Sequence, residues 1–353
     1  MIPALAIARE LQEVHKAQIL FIGTSRGIET RLVPAAGFKL ELVEVGALKN
    51  VGVVTRLSTL FALPSAIARA SKLLREFGAN VVIGVGGYAS GPAMLAAVVG
   101  GIPTLAFESN VVPGFANRII SSYVRAAAVH FEETAKYFPK AVVTGVPVRK
   151  EFFNLSPREP GSPPMLLVFG GSQGASALNR AMVAALPLLK SAVPGLRIVH
   201  QTGASDLEPV QAAYREAGME AQVSAFIDNM PDVFASADLL LCRAGASTVA
   251  EVTAAGKPAI FVPFPRAADD HQLRNAQALD RAGAGQIMPE AELTPEKLAV
   301  AVAALMKDRV RLHEMSVAAR KLAHPDAAQR IAEMAVGLIH NKAESTDAGT
   351  PLR

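Results

Sequence analysis

Apolar positions along the chain fall into short continuous runs that alternate with longer stretches of helical periodicity. The helical stretches include 56–77 and 114–121, and a long one covers 295–334. Strands that are apolar on both faces and alternate with helices indicate parallel sheets covered on both sides. The sequence therefore predicts an α/β protein built from doubly wound parallel sheets. The predicted strands are 18–22, 39–45, 80–83, 104–107, 126–130, 141–144, 165–169, 196–200, 222–226, 238–242, 258–262 and 285–288.

Residues 156–164 interrupt this alternation with four prolines, one glycine and two serines, which is typical of a linker. The linker divides a first domain, 1–155, from a second domain, 165–325. We expect a helix at 326–341 to join the first domain, and the polar residues 344–353 to be a disordered tail. A length of 353 residues with 51% hydrophobic residues is enough for two cores.

The chain begins inside an amphipathic helix, 2–14, with no strand before it. A doubly wound domain normally begins with a strand and a glycine-rich turn. We therefore expect the first domain to lack its first strand and glycine-rich loop. Our hypothesis is that Met1 is a misplaced start and that the native chain begins about 15–20 residues earlier, where that strand belongs.

Composition and motifs exclude several classes of protein. The net charge is +4, but there is no Trp and no dense Lys/Arg tract, so we expect no nucleic-acid partner. A dinucleotide fingerprint, a P-loop and metal-ligand spacing are all missing, and no cofactor or metal is expected. No secretory signal opens the chain. The single cysteine, Cys242, ends an apolar strand, which indicates a buried thiol in a reducing compartment.

The first loop with candidate chemistry, Gly170–Ala175, follows a predicted strand and precedes a predicted helix. The carboxyl end of a strand is where a parallel sheet binds its ligands. Glycines allow close backbone approach, and a helix N-terminus offers N–H groups to phosphate. The alternative is a plain tight turn.

Two further loops follow strands in the same half. Arg243–Glu251 combines small residues and hydroxyls at a helix start, and Glu251 is placed to accept both hydroxyls of a ribose; the alternative is a solvated glutamate. Phe264–Asn275 brings Gln272 and Asn275 to one helix face, where they suit sugar hydroxyls, although surface caps look much the same. Together the loops indicate a nucleotide diphosphate site.

The order of these motifs resembles the MurG family, glycosyltransferases of family 28. The motifs are Gly170–Ala175, His200-Gln201-Thr202-Gly203, Phe226–Met230, Cys242–Glu251 and, earlier, Gly86–Pro92, Glu108-Ser109-Asn110 and Gly145–Arg149. The resemblance extends over about residues 3–338. It implies a GT-B fold of two Rossmann-like domains facing a cleft.

The implied enzyme is an inverting, metal-independent hexosyltransferase of peptidoglycan synthesis. It moves GlcNAc from UDP-GlcNAc to the MurNAc 4-hydroxyl of lipid I, giving lipid II and UDP, at the cytoplasmic face of the bacterial inner membrane. The implied donor-site residues are Asn110, Arg149, Ser172, Gln173, Gly174, Phe226, Ile227, Met230, Ala246, Ser247, Thr248, Val249, Ala250, Glu251, His271, Gln272 and Asn275. Ile227 would read uracil through its backbone, and Tyr88 and Glu108 would lie on the acceptor side.

The resemblance leaves the general base of the implied enzyme unassigned. The family's glycine-rich loop carries a proposed catalytic histidine, which this chain lacks. Glu108 is a candidate for the general base, and the alternative for Glu108 is a structural role.

Contact with an anionic membrane surface is expected through a basic-edged apolar patch, although the same residues suit a helix packed on the sheet. The patch comprises Lys49, Arg56, Leu57, Phe61, Leu63 and Ile67.

Two rival functions remain open. One is a UDP-GlcNAc 2-epimerase-like enzyme, which shares the fold and the donor. The other is a UDP-sugar-binding chain that is inactive because the N-terminal loop is absent.

Overall fold

The computed structural model describes residues 1–25, 27–45, 53–87, 89–156, 158–159, 161–171 and 173–347, with the backbone alone described at 53–61, 268 and 342–347. The described chain forms two compact units. The first unit consists of Met1–Pro147 and Asp326–Arg353, and the second is Val148–Pro325.

The helices and strands alternate through both units. The strands are β1 Leu20–Gly23, β2 Lys39–Leu42, β3 Val82–Gly84, β4 Thr104–Glu108, β5 Ala126–Val129, β6 Ala141–Val143, β7 Met165–Phe169, β8 Arg197–Gln201, β9 Ala221–Ser224, β10 Leu239–Cys242, β11 Ala259–Phe261 and β12 Gln286–Ile287. The α-helices are α1 Ile2–Glu13, α2 Glu29–Ala35, α3 Val53–Phe77, α4 Ser90–Val99, α5 Phe115–Ile120, α6 Ser176–Ala192, α7 Leu207–Ala217, α8 Met230–Ser236, α9 Ala246–Ala255, α10 His271–Arg281, α11 Pro295–Lys307, α12 Arg309–Lys321 and α13 Ala327–Asp347.

The division between the units differs from the predicted one. The first unit ends at Pro147 rather than at residue 155, because the short 3₁₀ helix Lys150–Phe152 packs on the second unit. There the Phe152 ring lies 5.0 Å from the Phe234 ring, centroid to centroid. Within the predicted linker 156–164, Arg158 forms an ion pair with Asp238 of the second unit.

The C-terminal end of the chain also differs from its prediction. The expected disordered tail began at residue 344, but α13 continues to Asp347, and 348–353 lie outside the described residues. The predicted helical run 295–334 is three helices in the structure. Asp308 breaks it after α11 and caps α12, its carboxylate accepting from the N–H of Arg311 at 2.9 Å. Pro325 lies between α12 and α13.

The first unit has two parallel sheets in its described part, β1-β2 and β3-β4-β5-β6. In the doubly wound order 3-2-1-4-5-6, β2 and β1 take the third and second places and β3 takes the fourth. The place between β1 and β3 is the first, and the described residues put no strand there. A cavity of about 870 Å³ is lined by 18–22 and by 81–87, the free edges of the two sheets.

The cavity agrees with the expected lack of a first strand. Its lining includes Ala4, Ile7 and Leu11 of α1 and Val336 and Ile339 of α13. Such an apolar lining suits a central parallel strand, which is buried on both faces. The upstream start of the native chain stays a prediction.

The second unit has one six-stranded parallel sheet in the order β9-β8-β7-β10-β11-β12. This is the doubly wound order 3-2-1-4-5-6, and its direction of winding reverses between β7 and β10. The core on one face comes from α6, whose buried Leu178, Met182, Leu186 and Leu189 recur at helical spacing. The sheet thereby places α6 and α9, which follow β7 and β10, with their N-termini at the reversal point.

Candidate functional site

The loop after β7 is held against the loop after β8 by direct backbone contact. Gly174 has φ +75°, and a Cβ atom added there would lie 1.9 Å from the Thr202 carbonyl oxygen. Gly203 faces the same contact, since its Cβ would lie 2.5 Å from the Gln173 carbonyl oxygen. Only glycine satisfies both the conformation and the close approach.

Helix α6 begins directly after this loop and presents its N-terminal N–H groups there. No side chain of the described residues caps it, so these donors and the positive end of the helix dipole suit an anion. Its first turn is braced by the Asn179 side chain, which donates to the Thr202 carbonyl oxygen at 2.9 Å. Gln173 is exposed, and Ser172 lies outside the described residues.

Helix α9 provides a second N-terminus beside the first. Its N-cap is Gly245, and the described structure provides no side-chain cap for it either. Ser247 is exposed, whereas the side chains of Val249 and Ala250 are buried. Val249 and Ala250, predicted as donor-site residues, have side chains that pack in the core. The Val249 N–H donates to the Gly245 carbonyl oxygen at 2.9 Å, and Ala250 lies one residue further inside the helix. The N–H groups that α9 presents to a ligand therefore come from the residues before Val249.

Glu251 lies in the second turn of α9 in a low-dielectric environment. Burial raises its pKa to about 7, and the nearby guanidinium of Arg149 partly opposes that shift. Arg149 is exposed and lies over the Phe152 ring, 5.1 Å from the centroid. A carboxylate that titrates near neutrality next to a cation is a feature of functional sites.

The loop after β9 carries the predicted base-binding residues. Phe226 is exposed and Met230 half-buried, while Ile227 is buried. The Ile227 N–H donates to the Gln201 Oε1 atom at 2.9 Å. The Ile227 N–H already has a partner inside the protein. The expectation that Ile227 reads uracil through its backbone is therefore restricted to its carbonyl oxygen.

The loop after β11 ends in a strained turn at the start of α10. Asp269 and Asp270 both have positive φ, 52° and 53°, a conformation that non-glycine residues rarely adopt. Such strain persists where the surrounding structure enforces it, often at ligand sites. His271, the first residue of α10, is half-buried.

Gln272 and Asn275 lie on one face of α10 as predicted, and both bond to the backbone of Ala244. The Gln272 Oε1 atom accepts from the N–H groups of Ala244 at 3.2 Å and of Phe264 at 3.0 Å. Asn275 is fully buried and donates to the Ala244 carbonyl oxygen at 3.2 Å. The prediction that Asn275 binds the sugar is therefore corrected: burial makes it a brace for the loop after β10.

In the first unit, Glu108 is a structural carboxylate and not a candidate base. Its Oε1 atom accepts from the N–H and the side-chain amide of Asn110, and its Oε2 atom from the Gly114 N–H and the Asn117 amide. The side chain is buried, and four donors at 2.9–3.1 Å occupy its lone pairs. The Asn110 amide is thus engaged with Glu108, and Tyr88 lies outside the described residues.

The predicted membrane patch is only partly within the described structure. Lys49 and the side chains of Arg56, Leu57 and Phe61 lie outside it. Leu63 is half-buried. Ile67 packs on the cluster formed by Ala70, Leu74 and Ala93, so for Ile67 the alternative of a helix packed on the sheet is correct.

The sequence motifs contain Gln201 and Arg243 but indicate a role for neither residue. Gln201 joins two loops, as the Ile227 bond shows. Arg243 is buried, donates to the Val262 carbonyl oxygen at 3.0 Å and forms an ion pair with Glu290. Their position at the carboxyl ends of β8 and β10 was the available signal.

Comparison with known proteins agrees with this geometry. The description "Glycosyltransferase family 28 C-terminal domain" matches residues 165–331, and "Glycosyltransferase family 28 N-terminal domain" matches residues 1–129. The chain belongs to glycosyltransferase family 28.

Individual relatives agree with the family. A curated protein of Geobacter sulfurreducens, the UDP-N-acetylglucosamine--N-acetylmuramyl-(pentapeptide) pyrophosphoryl-undecaprenol N-acetylglucosamine transferase, is 45% identical over 94% of this chain and 94% of its own length. The crystal structure of Acinetobacter baumannii MurG matches with TM-score 0.81 and 36% identity over 95% of both chains. The resemblance inferred from the motifs is confirmed, as is the GT-B fold.

A more distant structure shares the fold alone. The UDP-GlcNAc 2-epimerase from Neisseria meningitidis, solved bound to UDP-GlcNAc, matches with TM-score 0.65 at 12% identity over 95% of this chain and 96% of its own.

The backbone contact at Gly174 generates a prediction. We expect Gly174→Ala to weaken UDP binding at least tenfold, because the added Cβ pushes the loop after β7 away from Thr202. Gly195→Ala is the matched control: it also removes a glycine of positive φ, 74°, but its Cβ meets open space. Isothermal titration with UDP measures both variants, and equal affinity in the two would contradict the predicted role of the contact.

Proposed function

We propose that this chain transfers GlcNAc from UDP-GlcNAc to the MurNAc 4-hydroxyl of lipid I, giving lipid II and UDP. The observation that carries the proposal is the reversal point of the second sheet. There two helix N-termini, which no described side chain caps, lie beside a carboxylate whose pKa is near 7. This is the arrangement that a nucleoside diphosphate sugar requires.

Each part of UDP-GlcNAc has a set of groups that suits it. The N-termini of α6 and α9 suit the diphosphate, with Ser247 and Thr248 adding hydroxyl donors. Glu251 suits the ribose hydroxyls, and Arg149 lies close enough to act electrostatically on that carboxylate. The loop at Phe226 and Ile227 suits uracil. His271 and Gln272, at the start of α10, suit the hydroxyls of GlcNAc.

The reaction is a single displacement at the anomeric carbon. The acceptor oxygen attacks C1 and its proton passes to a general base, the bond from C1 to the UDP oxygen breaks, and configuration inverts. UDP leaves with added negative charge, which helix N-termini stabilise because their dipoles are already oriented. We assign no residue as that base, since Glu108, the candidate named from the sequence, already accepts from four donors.

The acceptor places the enzyme at a membrane. Within the described residues, no helix is both long and apolar enough to cross a bilayer. We infer a peripheral protein at the cytoplasmic face of the inner membrane, bound to anionic lipid through the patch around Phe61. In the cell this activity belongs to cell-wall synthesis, on which cell shape and division depend.

The two rival functions have weaker support. The epimerase likeness rests on fold alone at 12% identity. A chain that only binds UDP-GlcNAc would need the same second unit. An activity assay distinguishes such a chain from the transferase.

UDP release tests the proposal. We expect the chain to release UDP from UDP-GlcNAc only when a lipid I analogue is present. An epimerase would convert UDP-GlcNAc into its C2 epimer without any acceptor. A binding-only chain would retain UDP-GlcNAc unchanged. Either outcome contradicts the transferase.

Glu251 generates a prediction about pH. Its carboxyl group ionises near pH 7. The ionised form offers both oxygens as acceptors to the two ribose hydroxyls, whereas the protonated form loses one of them, so affinity rises with pH. From pH 6 to pH 8 the ionised fraction grows about tenfold, and we expect the uridine Kd to fall by up to about the same factor. Uridine is the probe because it carries no titrating phosphate. Glu251→Gln should bind weakly at both values; a variant with the wild-type pH dependence would show that another group titrates.

Vesicle flotation tests membrane binding through the predicted patch. We expect the protein to float with vesicles containing anionic lipid, and Phe61→Asp to reduce the bound fraction about tenfold, since a phenylalanine side chain leaves the membrane. Val99→Asp is the matched control, because Val99 is 83% exposed in the same unit but lies outside the patch. Equal flotation of wild type and Phe61→Asp would refute the patch.

A further inference from the structure

Gln201 makes two hydrogen bonds that join the two halves of the nucleotide site. Its Nε2 atom donates to the Gly171 carbonyl oxygen at 2.9 Å, in the loop after β7. Its Oε1 atom accepts from the Ile227 N–H at 2.9 Å, in the loop after β9. Gln201 ends β8, the strand between β7 and β9, so its side chain spans both neighbours.

The chemistry of the two partners fixes the orientation of the amide. The Gly171 carbonyl can only accept and the Ile227 N–H can only donate. A flipped amide would place its NH₂ group against the Ile227 N–H and its oxygen against the Gly171 carbonyl. The observed orientation is therefore the one that satisfies both partners. Because the side chain is only 2% exposed, water cannot replace either bond.

The side chains closest to glutamine in size do not keep both bonds. Glutamate of the same length accepts but does not donate when ionised, and methionine does neither. Asparagine is one methylene shorter. The position therefore requires a group that donates on one side and accepts on the other, at glutamine length.

The two loops have different tasks in the proposed function. The loop containing Gly171 precedes the N-terminus of α6, which suits the diphosphate. The loop containing Ile227 suits the base. A single buried side chain that bonds to both sets the distance between them, and a ligand whose base and diphosphate match that distance binds in one registered pose.

We propose that Gln201 is a positioning residue that fixes the base loop relative to the phosphate loop and thereby sets the selectivity for uracil. This inference rests on the proposed function of the second unit. It assigns Gln201 no contact with the reacting atoms. Its effect reaches the ligand through the backbone of Ile227 and of Gly171.

The test compares UDP with CDP, which differ only in the base. In Gln201→Met both bonds are lost, and we expect the Kd for UDP to rise about tenfold or more, since two buried groups lose their partners. We also expect the ratio of the CDP Kd to the UDP Kd to fall toward one. A loss of stability alone would weaken both ligands equally and leave that ratio unchanged.

Two further variants complete the test. Gln201→Glu keeps the acceptor for Ile227 but loses the donor to Gly171, so the link between the loops is broken. We therefore expect weaker UDP binding and a ratio of the CDP Kd to the UDP Kd that falls toward one. Gln211→Met is the matched control, because Gln211 donates to the Val223 carbonyl oxygen at 3.1 Å, away from both loops. Neither the Kd for UDP nor the ratio should move in this control.

The outcomes separate the inference from the function beneath it. If the wild-type protein fails to bind UDP in preference to CDP, the proposed function itself is wrong. If wild type is selective and Gln201→Met keeps the same ratio, the positioning role alone is overturned. Should Gln201→Met not fold, Gln201→Glu decides: a wild-type ratio of the CDP Kd to the UDP Kd, or full UDP affinity, overturns the proposal.

Discussion

The nucleotide site depends on a backbone contact that leaves no room for a side chain. Gly174 and Gly203 bring the loops after β7 and β8 together, with positive φ at both positions. The contact fixes where α6 begins, and so where its N-terminal N–H groups point. Asn179 and Gln201 then bond across the same junction from either side. The glycines and the two side chains therefore hold the same junction.

Electrostatics follow from that geometry. Two helix N-termini at the reversal point of the sheet provide positive potential without a positively charged side chain. Asp206 also lies at the first turn of α6, where hydrogen bonds from Ser176 and from Asn179, the latter at 2.7 Å, lower its pKa. The neighbouring His200 is buried, and burial lowers its pKa to about 4, so it stays neutral at physiological pH. Charge in this region thus comes from oriented backbone, from carboxylates and from the guanidinium of Arg149 near Glu251.

Much of this architecture could be predicted from the sequence, because strand and helix periodicities differ and parallel sheets bind ligands at one edge. The three loops and Glu251 lie where that rule places them. The predictions that failed depended on contacts between residues far apart in the sequence. Periodicity put Asn275 on the correct helix face but could not show that Ala244 covers it. The Glu108 motif did not reveal four donors, and an apolar stretch containing Ile67 fitted a membrane surface as well as a core.

The central claim is that the carboxyl edge of the second sheet holds UDP, and a crystal structure of the full chain with UDP tests it most directly. The account predicts the diphosphate at the N-termini of α6 and α9, the ribose hydroxyls on Glu251 and uracil against Ile227. Density for UDP at any other place, or a diphosphate held away from both helix N-termini, would contradict it.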